Sequence, residues 1–151
     1  MSNPLRTIED YELFLYTLTQ QFPSIRQSTL VITRRGASLA RVSGELQFDH
    51  GVRLIVRERI LYHRLPAVID EYGYEVWQDK DKLYWYDVQP HPDDLTLQST
   101  YPHHKHIQPN IKNNRIPAPE NSFNIPNLPG LIREIESLIE GIEKETESKR
   151  G

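Results

Sequence analysis

Residues 38–63 read SLARVSGELQFDHGVRLIVRERILYH, and apolar and polar residues alternate along both arms of the stretch. A period of two marks a strand with one buried face. In the first arm Ala40, Val42, Leu46 and Phe48 share one face, with Arg41, Ser43, Glu45 and Gln47 on the other. Asp49, His50 and Gly51 between the arms suit a three-residue hairpin loop with Gly51 in the left-handed region. In the second arm Val52, Leu54, Val56 and Ile60 continue the apolar row. This register sets Phe48 beside Val52 and Val42 opposite Glu58. Glu58 therefore falls in an apolar row, where an unpaired carboxylate is costly. The opposite face carries Arg41, Arg53, Arg57 and Arg59.

On either side of this hairpin the same period continues. Residues 28–35, STLVITRR, read as a strand turned by Gly36. Residues 68–89 read as a second hairpin, VIDEYGYEVWQ and LYWYDVQ around DKDK. A regular loop there puts Tyr72, Tyr74, Val76, Leu83, Trp85 and Asp87 on one face, with Asp87 opposite Tyr74. Glu71, Glu75, Trp77, Tyr84 and Tyr86 take the other. Before the strands, Tyr11, Phe14, Leu15, Leu18 and Phe22 follow helical spacing, which predicts a helix over 7–22 capped by Thr7 and stopped by Pro23. At the other end Leu131, Ile132, Ile135, Leu138, Ile139 and Ile142 predict a helix over 131–147. Residues 90–130 hold eight of the eleven prolines and are expected to form a long excursion, neither helix nor central strand. The expected fold is α+β: one domain over 1–151, with an antiparallel sheet of about five strands within 28–89 and both helices on one face.

The composition narrows the function. A formal charge of −3 over 151 residues excludes a generally basic nucleic-acid binder, so any basic surface is local. No cysteine is present, hence no disulfide and no thiolate metal site. The chain has neither an apolar run long enough for a membrane span nor a hydrophobic leader, and a cytoplasmic location is expected. P-loop, G-x-S-x-G, H-E-x-x-H and dinucleotide-binding patterns are all missing.

Chemistry concentrates in YPHHKHI, residues 101–107, which holds three of the six histidines. Asp87 and His91 precede it, and a folded-back loop brings them within reach of His103, His104, Lys105 and His106. A carboxylate beside imidazoles orients a ring and supports its charged form. With a cation, such a set suits phosphodiester cleavage: one group accepts a proton, another donates one, and the cation stabilises charge on phosphorus. A solvated histidine-rich loop is the plain alternative. A metal site is another, since His104 and His106 point the same way on a strand, with His91 or Asp87 as third ligand. Glu58 is either a further site residue or a structural partner of an arginine or a tyrosine hydroxyl. The stripe of Arg53, Arg57 and Arg59, with Tyr86 as a stacking platform, is a candidate phosphate-tracking surface or an ordinary solvated face.

The segments GELQFDHGVRLIVRERI, YGYEVWQDKDKLYWYDVQPHP and YPHHKHI, in that order, resemble the TumE family of bacterial toxin proteins over roughly residues 28–108. Members commonly show a hairpin ending in a glutamate, an R-Y-D-x-x-P-H element and then P-H-H-K-H. By this resemblance Glu58 matches the hairpin glutamate, Tyr86, Asp87 and His91 the second element, and Pro102 to His106 the third. Trp85 stands where the family often has arginine. The resemblance implies a toxin–antitoxin module with a helix-turn-helix antitoxin partner. It does not name the reaction. The expected function is a toxin acting as a metal-independent ribonuclease, with no cofactor, through histidine acid–base chemistry. The alternatives are a non-enzymatic module that binds an anion or a partner, and a zinc-dependent hydrolase.

Overall fold

A computed structural model describes residues 3–88, 103–108, 115–118 and 121–150. The hairpin of residues 39–61 forms as expected. Strand β3 (Leu39–Gln47) pairs with β4 (Val52–Leu61), and Val42 stands opposite Glu58. His50 and Gly51 in the loop both have positive φ, 62° and 72°. Two shorter strands, β1 (Gln27–Ser28) and β2 (Val31–Arg35), both pair with the other side of β3. The break between them lies over Gly44, whose φ is +133° and where an added Cβ would stand 2.5 Å from the Thr29 carbonyl oxygen. Only glycine fits that crossing.

Strand β5 (Val68–Gln78) follows β4, and β6 (Asp81–Asp87) follows β5. Here the structure departs from the regular hairpin expected. Trp77 pairs with Lys82 but Val76 pairs with Tyr84, so Leu83 is an extra, unpaired residue. A bulge of this kind exchanges the faces of everything beyond it. Tyr86, not Asp87, lies opposite Tyr74, and Asp87 lies opposite Gly73.

The sheet then continues into the stretch expected to be an excursion. Strand β7 (His104–Ile107) pairs with β6, and β8 (Arg115–Pro117) pairs with β7. The sheet thus has eight strands rather than about five, all pairings antiparallel. The expectation of no central strand failed because the prolines nearest β7, at 102 and 109, stand outside it. Its four residues keep every backbone donor.

Both helices cover one face. The N-terminal segment is a 3-10 turn (Pro4–Arg6), α1 (Ile8–Tyr16) and α2 (Leu18–Gln21), broken at Thr17 rather than continuous over 7–22. Thr7 caps α1 by accepting from the Asp10 backbone N–H. The C-terminal helix α3 spans Leu128–Arg150 and buries Leu131, Ile132 and Ile135. Among the described residues no helix is long and apolar enough to cross a membrane.

Between helices and sheet lies Glu58, 4% exposed. Its two carboxylate oxygens accept from the hydroxyls of Tyr11 on α1 and Tyr74 on β5. Asn127, just before α3, donates to the Tyr74 oxygen at 3.1 Å. Burial pushes the Glu58 carboxyl above its ordinary pKa, and the two tyrosine hydrogen bonds pull only partly against it. The folded state therefore holds a proton that the unfolded state releases, and stability falls as pH rises from the ordinary carboxyl range through the raised value. Glu58→Ala is expected to cost about 3 kcal/mol in urea denaturation, because two buried hydroxyls lose their acceptor. Glu58→Gln removes the titration, so the advantage of wild type over this variant should be larger near pH ~4 than near pH ~7.

Candidate functional site

On the face of the sheet away from the helices, antiparallel register sets Ser43, Arg57, Gly73, Asp87 and His104 in one row across five strands. His106 stands in the next row, opposite Trp85. The bulge at Leu83 puts Asp87 on this face. The i, i+2 spacing of His104 and His106 puts both rings there as well.

The three side chains meet. His104 Nε2 is 2.5 Å from Asp87 Oδ1, His106 Nε2 is 3.6 Å from Asp87 Oδ2, and the two Nε2 atoms are 3.1 Å apart. His104 and His106 are 1% and 4% exposed, whereas Asp87 is half-buried. Burial raises the Asp87 carboxyl, but hydrogen bonds and charge from His104 and His106 outweigh it and hold it well below the usual carboxylate range. The Trp85 ring lies 4.4 Å from that of His106, with Lys82 Nζ 3.7 Å from the Trp85 ring centroid.

A groove of about 840 Å³ runs along the face and ends on Asp87. Arg35, Arg41, Arg57 and Arg59 line it, with the hydroxyls of Thr33 and Ser43. Arg59 is committed to Asp70 and Glu71. Arg35, Arg41 and Arg57 make no ion pair with the described residues, and all three are exposed. Arg57 lies over Gly73, where an added Cβ would stand 2.6 Å from its Nη2 atom. The absence of a side chain there opens the way from Arg57 toward Asp87.

The remaining candidates lie elsewhere. Lys105, between the two histidines, points to the helix face. Its ammonium sits 4.1 Å from the Tyr84 ring centroid and 3.2 Å from Glu134 Oε1 on α3. Tyr86 is buried on the same face and donates to Glu134 at 2.8 Å. Glu58 is there too, bound to tyrosines and not to an arginine, and is separated from Asp87 by the sheet. His103 leaves the pair: its Nδ1 is 2.6 Å from the Tyr72 hydroxyl, and its ring packs on Phe123. Burial, and then the charge of His104, lower its pKa. Arg53 pairs with Glu45 and stacks on Trp77. His91 lies outside the described residues. The role of Gly73 was not foreseen from the sequence. Its only signal was a glycine inside an apolar strand, which commonly marks close approach of another group.

An antiparallel sheet with two helical segments on one face, and an aspartate–histidine cluster beside an arginine groove on the other, defines an α+β protein with a polar centre on the sheet face away from its helices. The family described as "Toxin TumE" matches residues 15–139 of this chain. The chain belongs to that family and is a toxin component. No curated protein and no solved structure matches it significantly.

Lys105→Ala is expected to lower stability by about 1–2 kcal/mol, through loss of the Glu134 ion pair and the ring contacts. Chemical denaturation checks it. Glu134→Gln should reproduce most of the loss, and the double variant should fall short of the sum of the two.

Proposed function

We propose that this toxin component cleaves RNA on the face of its sheet away from the helices. The observation that carries the reading is the groove of Arg35, Arg41 and Arg57, three cations without acidic partners among the described residues, which Asp87 also lines with the buried His104 and His106 behind its carboxylate. Unpaired guanidinium groups in a groove favour a phosphate backbone, which each can grip through two N–H donors. Arg57, in the same row as Asp87 and two strands away across Gly73, takes the charge-stabilising role expected of Lys105, which faces α3. The Asp87–His104–His106 centre takes the proton of the 2′-hydroxyl. That oxygen attacks phosphorus, the bond from phosphorus to the 5′-oxygen breaks, and the leaving oxygen gains a proton. A 2′,3′-cyclic phosphate and a free 5′-hydroxyl result.

Membership of a toxin family supports an antitoxin partner, and the resemblance noted above makes a helix-turn-helix antitoxin the partner proposed. An RNA substrate places the action in the cytoplasm.

Asp87→Asn and His104→Ala should each lower the cleavage rate of single-stranded RNA by about 100-fold or more, since acid–base groups contribute 10²–10⁴-fold. Arg57→Ala should lower kcat as well as weaken substrate binding and flatten its salt dependence. Gly73→Ala should displace Arg57 and raise KM with little loss of stability. Substrates with 2′-deoxy linkages should not be cut. Failure of purified toxin, freed from a co-expressed antitoxin, to cut any RNA would end this reading and leave the groove as a binding surface.

A further inference from the structure

We propose that Asp87, His104 and His106 form a zinc site. The inference rests on the RNA-cleavage reading only for the role of the ion, and binding stands on geometry alone. Three Lewis-basic groups converge, one from β6 and two from β7. Their ligand atoms all lie within 4.8 Å of one another. The two imidazoles are buried and turn the same nitrogen, Nε2, toward each other at 3.1 Å.

Proton transfer alone accounts poorly for this arrangement. An acid and a base that work on one phosphodiester must reach different oxygens, on opposite sides of phosphorus. Nitrogens 3.1 Å apart and facing each other do not flank a phosphate. Both imidazoles can donate a proton to Asp87, but their N–H groups then face each other at 3.1 Å, whereas a dication satisfies all three groups at one point.

The spacing fits a tetrahedral ion. Zinc–nitrogen bonds of about 2.0–2.1 Å imply ligand–ligand edges of about 3.3 Å. The observed 3.1 and 3.6 Å edges lie near that value. The 2.5 Å contact of His104 with Asp87 is a hydrogen-bond length, and it would open by about 0.8 Å as an ion replaces the proton. Two imidazoles and one carboxylate are borderline ligands that favour zinc, while magnesium demands oxygen. Two neutral nitrogens and one carboxylate leave a bound zinc site with net charge of about +1. That charge sits where the arginine groove ends and suits a phosphodiester. Bound there, the ion supplies a Lewis acid that lowers the pKa of an attacking hydroxyl.

The test uses the full chain, stripped with chelator and titrated with zinc against a chromophoric competitor. One equivalent should bind. Cobalt(II) should give the intense visible bands of a four- or five-coordinate site. His106→Ala and Asp87→Ala should bind zinc at least about 10–100-fold more weakly, the loss already typical of changes one shell further out. His50→Ala and His63→Ala should bind as wild type does. Circular dichroism checks folding, and the near-isosteric Asp87→Asn and the less disruptive His106→Gln serve where an alanine variant does not fold. No stoichiometric uptake by wild type, or uptake unchanged in folded variants of Asp87 and His106, overturns the site. Cleavage of RNA in excess chelator by a chain that takes no zinc would sink the zinc site and keep the ribonuclease. Zinc uptake lost in the ligand variants, without RNA cleavage under any condition, would keep the site and sink the ribonuclease.

Discussion

Leu83 has no partner on β5, and the pairing of β6 shifts by one residue on either side of it. Because strand side chains alternate, that single insertion turns Tyr84 and Tyr86 toward the helices and Asp87 away from them. Strand β7 then takes its register from β6, with His104 opposite Asp87 and Lys105 opposite Tyr86. Without the bulge, Asp87 would sit among Tyr74 and Glu58. A second carboxylate in that buried cluster would be repelled and poorly solvated.

The two faces thereby divide the work. On the helix face, polar groups are spent on joining elements: Glu58 ties α1 to β5, Asn127 adds the segment before α3, and Glu134 on α3 holds Tyr86 and Lys105. Glu58, Tyr11, Tyr74, Asn127 and Tyr86 each have a partner matched to their chemistry, which is the condition for burying them; the buried Tyr84 hydroxyl has none among the described residues. On the other face, Arg35, Arg41 and Arg57 make no ion pair among the described residues. Strand β7 serves both purposes within four residues, since its alternation sends histidines one way and Lys105 and Ile107 the other.

Much of this architecture can be read from local pattern. The hairpin around Gly51, the opposition of Val42 and Glu58, the burial of Tyr11, Phe14, Leu15, Ile132 and Ile135, and the family itself all follow from spacings within short windows. These features depend on turn chemistry and hydrophobic period, which act between near neighbours. The chemical residue types were equally visible: Asp87, the histidines of residues 103–106 and the arginine stripe. Their selection was not. Of three clustered histidines, two meet Asp87 and one packs on Tyr72 and Phe123.

What chain order left open was settled by pairing at a distance. The bulge at Leu83 has no turn residue to announce it, and it reflects how Tyr84 and Tyr86 pack beneath α3. The pairing of β7 with β6 joins residues about twenty apart across a proline-rich stretch, and its register is fixed by side chains on both faces at once. Composition and period establish an α+β protein with histidine, aspartate and arginine in reserve, and only the motif resemblance adds the toxin family. Which of those side chains meet is set by the face each strand presents, and a one-residue slip in a sheet reverses that choice without changing a single local propensity.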